Sequence, residues 1–240
     1  MRAGLTLTGA ALRAELDRIT DTGTDVIAQR AAGAASCRPW SLVNLLSRLV
    51  VDPERFPDER ESMNAVGMGT VYTRTSLGGP LRNPDAAARE KLLTRWFHPY
   101  AEAMTELVEA RLAAVGRVTI VDVHSYPSQR LPYEIGGSER PAICLGTDPA
   151  HTPPWLLAAA RAAFAASGHD VAVDSPFSGC YLPLRHYGRE PDVTGIMIEI
   201  RRDDYLIEPA GPLTEGVAAV SRSLARLIDA VTAGVNTGQP

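Results

Sequence analysis

The run at residues 117–123, RVTIVDV, limits what this chain can fold into more than any other stretch. It is short, β-branched and almost wholly apolar, and Gly116 opens it. A run of this kind suits a strand covered on both faces, which places it in a sheet with helices packed on either side. The text then changes character. Asp122-Val-His124-Ser125-Tyr-Pro puts polar side chains at the C-terminal end of the strand. In open α/β sheets that end is where ligands bind.

The rest of the chain supplies the partners such a strand needs. Leu12, Leu16 and Ile19 recur at helical spacing, and a second helical stretch runs over residues 25–32 and ends at Gly33. Residues 41–51, between Pro39 and Pro53, read as a strand or a short helix, with a strand favoured near Leu49 to Val51. Residues 52–84 are polar and rich in Pro and Gly, longer than an ordinary connector, and long structured loops tend to be functional. Residues 86–115 form the clearest helix, which Pro99 should kink or split. Strands are expected at 142–145, at 171–173 on an edge, and at 195–200 in the core, with helices at 154–167 and 214–232. This alternation predicts an α/β three-layer sandwich with a mixed, largely parallel sheet. A length of 240 residues fits one domain.

Composition excludes several classes of function. A net charge of -4 gives no sign of a nucleic-acid partner. No apolar run is long enough for a membrane span, and no h-region follows Arg2, so a signal peptide is not expected. Cys37, Cys144 and Cys180 are far apart and show no thiolate–metal spacing, so free thiols in a reducing cytoplasm are expected. The GxSxG elbow, HExxH and P-loop patterns are absent.

Four groups of residues could carry chemistry. His124 offers the commonest neutral metal ligand beside carboxylates, or is a hydrogen-bonded structural histidine. Glu199, within GIMIEIRRD, is a carboxylate in a buried strand. It is either a general base for a water molecule or the partner of Arg201 or Arg202. Arg48 and Arg55 flank Asp52 in SRLVVDPERF, and Arg74 lies in YTRTS. Each could grip an acidic substrate or close an internal ion pair. Asp21 and Asp25 stand at a helix start, where capping competes with metal binding. His186 and Tyr187, in a Gly-flanked loop, could line a pocket, while His98, His151 and His169 read as structural or surface residues.

Taken in order, the segments SRLVVDPERFPDE, VGMGTVYTRTS, VDVHSYPS, DSPFSGCYLPLRHYG and IMIEIRRDDYL resemble the N-formylglutamate amidohydrolase family. The resemblance implies a phosphorylase/hydrolase-like α/β fold similar to zinc carboxypeptidases. It implies a zinc-dependent hydrolysis of an N-acyl amino acid amide, typically N-formyl-L-glutamate to formate and L-glutamate, with a place in histidine degradation. His124 and Asp25 then match the metal ligands, and Glu199 the strand carboxylate acting as general base. Arg48, Arg55, Arg74, Ser125, His186, Tyr187, Arg201 and Arg202 match positions available to a small acidic amide substrate. Other amidases on the same scaffold, or a binding protein without the metal, remain alternatives. Relatives begin with a strand ending in a Pro-His turn whose histidine binds the metal, and no histidine precedes His98 here. The resemblance therefore leads to an expectation that Met1 falls after that turn.

Overall fold

The computed structural model describes residues 4–236, with side chains described to residue 233. Six α-helices and four strands follow one another: α1 (Gly9–Ile19), α2 (Thr24–Ala34), α3 (Ala86–Leu92), α4 (His98–Val115), β1 (Val118–Tyr126), β2 (Ile143–Gly146), α5 (Pro154–Ala165), β3 (Val171–Val173), β4 (Val193–Arg201) and α6 (Gly216–Asn236). The sheet order is β1-β4-β2-β3. β1 pairs parallel with β4 and β2 parallel with β3, whereas β2 and β4 run antiparallel. The expected mixed, largely parallel sheet is present.

Strand parity divides the sheet into an apolar and a chemical face. Ile196, Ile198 and Ile200 of β4 are fully buried and join Ile143 and Leu145 of β2 in a core closed by α2, α5 and α6. The alternate positions point the other way, where Val108 of α4 packs on Val193, Val118 and Ile120. Helices therefore cover both faces. Along this second side the apolar residues give way to Asp122, His124 and Tyr126 of β1 beside Met197, Glu199 and Arg201 of β4.

Two local readings are corrected. No strand forms at 49–51. Instead Val50 closes a turn onto the Ser47 carbonyl, Asp52 bonds to Thr70, and the Arg82 guanidinium takes the Leu49 and Val50 carbonyls. A buried arginine thus satisfies backbone groups that a ladder would otherwise pair. Residues 41–46 lie outside the sheet, leaving Trp40, Val43 and Leu45 exposed. The long helix does divide, but ahead of Pro99: a π-helical turn at Leu93–Phe97 separates α3 from α4. Proline has no N–H for the usual bond, and widening the preceding turn accommodates the loss. α4 ends at Gly116, whose φ of 76° lets the chain reverse into β1.

β1 forms one edge of the sheet and β3 the other. A groove of about 960 Å³ runs beside the free side of β1, between α4 and α6, with Trp40 and neighbouring residues on its rim. Among the described residues no helix is long and apolar enough to cross a membrane.

Candidate active site

The groove reaches Asp122 and His124 where β1 turns polar. Their spacing of two residues puts both side chains on the same face. His124 Nε2 lies 3.0 Å from Asp122 Oδ1 and 3.2 Å from Glu54 Oε2. Glu54 comes from the loop after Asp52, and its other oxygen accepts from the Tyr100 hydroxyl of α4 at 2.8 Å. Glu54, Asp122 and His124 each offer one ligand atom, and these atoms all lie within 4.8 Å of one another. An imidazole and two carboxylates suit a divalent cation in both donor type and charge.

The far side of the ring is held by Asp21, in the connection between α1 and α2. One of its oxygens lies 3.2 Å from His124 Nδ1. The other accepts from the Ser125 N–H at 3.0 Å and the Ser125 hydroxyl at 3.1 Å. Arg48 reaches the same Asp21 carboxylate at 2.5 Å and lies 2.8 Å from His124 Nδ1. Nδ1 either donates to Asp21 or accepts from Arg48. If Nε2 is a metal ligand, Nδ1 carries the proton and Asp21 receives it, the usual carboxylate–histidine arrangement. Behind Asp21, buried Arg202 bonds to the Ser125 hydroxyl and the Arg18 carbonyl.

Glu199 stands next to His124 in the parallel register and opposite Cys144 of β2. Its Oε2 is buried without a hydrogen-bond partner among the described residues. Burial pushes its carboxyl up to about 7, and His124 nearby limits the rise. Burial alone would favour a neutral His124, but the Asp122 and Glu54 carboxylates carry its pKa well above the ordinary value. Burial also opposes the charge on Asp21, yet Arg48, His124 and Arg202 hold it far below the usual carboxylate range.

The sequence-derived residues separate into those the fold brings together and those it does not. His124, Ser125, Glu199, Arg48 and Arg202 converge. Asp25 does not touch His124; it is exposed on the first turn of α2, and Asp21 occupies the place beside the ring. Arg55 pairs with Asp52 at 3.4 Å and approaches Glu61, so it closes a neighbouring cluster. Arg74 is exposed and bonds to the Gly78 carbonyl across a turn. Arg201 pairs with Asp203 and Asp204. The Tyr187 hydroxyl is taken by Asp148, and the ring stacks on His151. His186 is buried outside the cluster. Sequence reasoning missed Glu54, and it read Asp122 only as an accessory to the histidine. The i, i+2 spacing of Asp122 and His124 was the available signal for the second. Nothing local marks Glu54.

A family model for N-formylglutamate amidohydrolase matches residues 2–206. The chain belongs to the N-formylglutamate amidohydrolase family. It is a hydrolase of that type. The fold is similar to the crystal structure of N-formylglutamate amidohydrolase from Ralstonia eutropha JMP134. The TM-score is 0.77 at 22% identity, over 99% of this chain and 89% of the other. A gene product of Agrobacterium tumefaciens is similar with a TM-score of 0.68 at 18% identity, covering 95% of this chain and 83% of that one. No curated protein gives a significant match. At these identities the solved structures speak for the fold, and the family match carries the enzyme class.

Proposed function

We propose that this chain hydrolyses the amide bond of an N-acyl amino acid, with N-formyl-L-glutamate as the first substrate to test, and that it uses a divalent metal, zinc being the expected ion. The observation that carries this reading is the row across β1 and β4. It sets the His124, Asp122 and Glu54 donor cluster directly beside Glu199, a buried carboxylate whose Oε2 has no hydrogen-bond partner among the described residues. His124, Asp122 and Glu54 would hold the cation, with Asp21 fixing the ring from behind. When bound, the cation supplies Lewis acidity to the reaction.

The remaining steps belong to the side chains. Glu199 accepts a proton from the attacking water and returns it to the leaving amine, so that water and amide become formate and a free amino group. A base with a pKa near the working pH is best placed for both transfers. The buried, unpartnered Oε2 is the atom suited to hold that proton. Arg48 keeps Asp21 ionised, and ionised Asp21 keeps the ring oriented. The partner implied is a small acidic amide.

Formate release from N-formyl-L-glutamate, measured with zinc and after chelation, tests the reading. Glu199→Gln should keep the fold and metal content while lowering turnover by about 100- to 10,000-fold, the range for general acid–base groups. In the wild type, kcat should rise with pH as Glu199 loses its proton, with a midpoint below the raised value of the metal-free protein because the bound cation favours the ionised carboxylate. Unchanged turnover in Glu199→Gln would remove it from the mechanism. Zinc-independent turnover would remove the metal.

A further inference from the structure

Most arginines around the site are already committed. Arg48 is bound to Asp21, Arg55 to Asp52, Arg201 to Asp203 and Asp204, and Arg202 to Ser125 and the Arg18 carbonyl. Arg140 is different. Its Nη2 donates to Glu134 at 2.5 Å, but its Nε and Nη1 are buried with no partner among the described residues. Its guanidinium lies over the Tyr126 ring, 5.4 Å from the centroid.

We propose that Arg140 binds a carboxylate of the substrate. This rests on the amide-hydrolase reading above. Tyr126 is two residues beyond His124 on the same face of β1, and Glu199 faces that side from β4. Two buried groups with unmet hydrogen-bonding capacity therefore flank Tyr126: donors on Arg140 and an acceptor on Glu199. Leaving buried charged N–H groups unpaired is costly, and natural proteins rarely do so without a use. An N-acyl amino acid supplies the carboxylate that the guanidinium lacks, while Glu199 keeps the attacking water assigned to it above. Arginine stays charged at every working pH and holds its donors in a fixed plane, which suits carboxylate recognition. The Glu134 bridge and the Tyr126 ring hold that plane in place before substrate arrives. The Arg140 side chain is only 16% exposed, so a carboxylate bound there meets little competition from water.

The test compares N-formyl-L-glutamate with its dimethyl ester in the zinc-loaded enzyme. Arg140→Gln should raise KM for the acid about 10- to 100-fold, the loss expected for a hydrogen-bonded charge. The ester KM and both kcat values should stay near wild type. Arg140→Lys should fall between the two for the acid. Glu134→Gln removes the bridge but not the donors, and should keep the preference for acid over ester. A merely structural role would change acid and ester alike, and that result overturns the proposal. Calorimetric binding of N-formyl-L-glutamate to Glu199→Gln, with and without Arg140→Gln, needs no turnover. Weaker binding with the second substitution supports the carboxylate site even if the hydrolytic reading fails. Equal binding rejects the carboxylate site even if formate release is confirmed.

Discussion

Replacing Asp21 by Asn separates the two aspartates that compete for a role beside His124. Asp21 accepts from Ser125 twice, pairs with Arg48 at 2.5 Å and lies 3.2 Å from His124 Nδ1, with Arg202 3.8 Å away. Asn keeps one acceptor oxygen for Ser125 but leaves Arg48 and Arg202 without their counter-charge. Breaking a fully buried pair costs about 3–5 kcal/mol. The Asp21 and Arg48 side chains are 17% and 24% exposed. Solvent screening and the retained Ser125 bond therefore reduce the expected loss to about 2 kcal/mol. The ring would also lose the carboxylate that fixes its tautomer, which typically weakens metal binding about 10- to 100-fold. Urea unfolding of the metal-free protein measures the first quantity. Competition for zinc with a chromophoric chelator measures the second. Asp25→Asn, at an exposed position in the first turn of α2, should change neither. If Asp25→Asn strips the metal while Asp21→Asn spares it, the carboxylate assignment is reversed.

Two further outcomes follow from the packing of the thiols and from the free edge of β1. Cys37 is exposed, whereas burial pushes the Cys144 thiol up to about 11 and the Cys180 thiol up to about 12. The native protein should therefore release one equivalent of thionitrobenzoate rapidly at pH 7.5 and the other two only in denaturant; three fast equivalents would contradict the packing. Val118 N–H bonds to the β4 side and Ser125 N–H to Asp21 on the other, so strand alternation points the amides of Thr119, Val121 and Val123 at the open groove. Those three should exchange with deuterium faster than the amides of Ile120 and Asp122, and uniform protection along β1 would show that its edge is covered.

How much of this was legible in the sequence depended on the range of the interactions. Parity along one strand is local, so the apolar run ending in Asp122 and His124 was readable, as was the odd Glu199 among isoleucines. Helix existence was readable for the same reason. The strand expected at Leu49 failed because Arg82, over thirty residues away, satisfies that backbone, and no pattern near Leu49 announces it. The choice between Asp21 and Asp25 turned on where α2 begins. Thr24 opens the helix and its hydroxyl turns back to the Asp21 carbonyl, leaving Asp21 in the connection that faces β1. Glu54 reaches His124 only because the Pro-rich loop folds over the sheet, and that placement is set by packing against α4, not by the residues beside it.

The charges around His124 make a final, independent argument for a divalent ion. Asp21, Glu54, Asp122 and Glu199 bring four carboxylates, and Arg48 and Arg202 bring two cations. Two negative charges are left over in a site largely shielded from water, where uncompensated charge is expensive. Protons can settle the balance: one on His124, whose affinity is raised by Asp122 and Glu54, and one on Glu199, raised by burial. A divalent cation settles it equally well, with the imidazole neutral and Glu199 ionised, which is the state a general base requires. Metal and protons are thus alternatives for the same two charges. Zinc binding at pH 6 should release between one and two protons, and its affinity should fall as pH is lowered. Calorimetry in two buffers of different ionisation enthalpy counts the protons. A value near zero would mean that the ion binds elsewhere or that His124 is already neutral, and the ligand set would have to be redrawn.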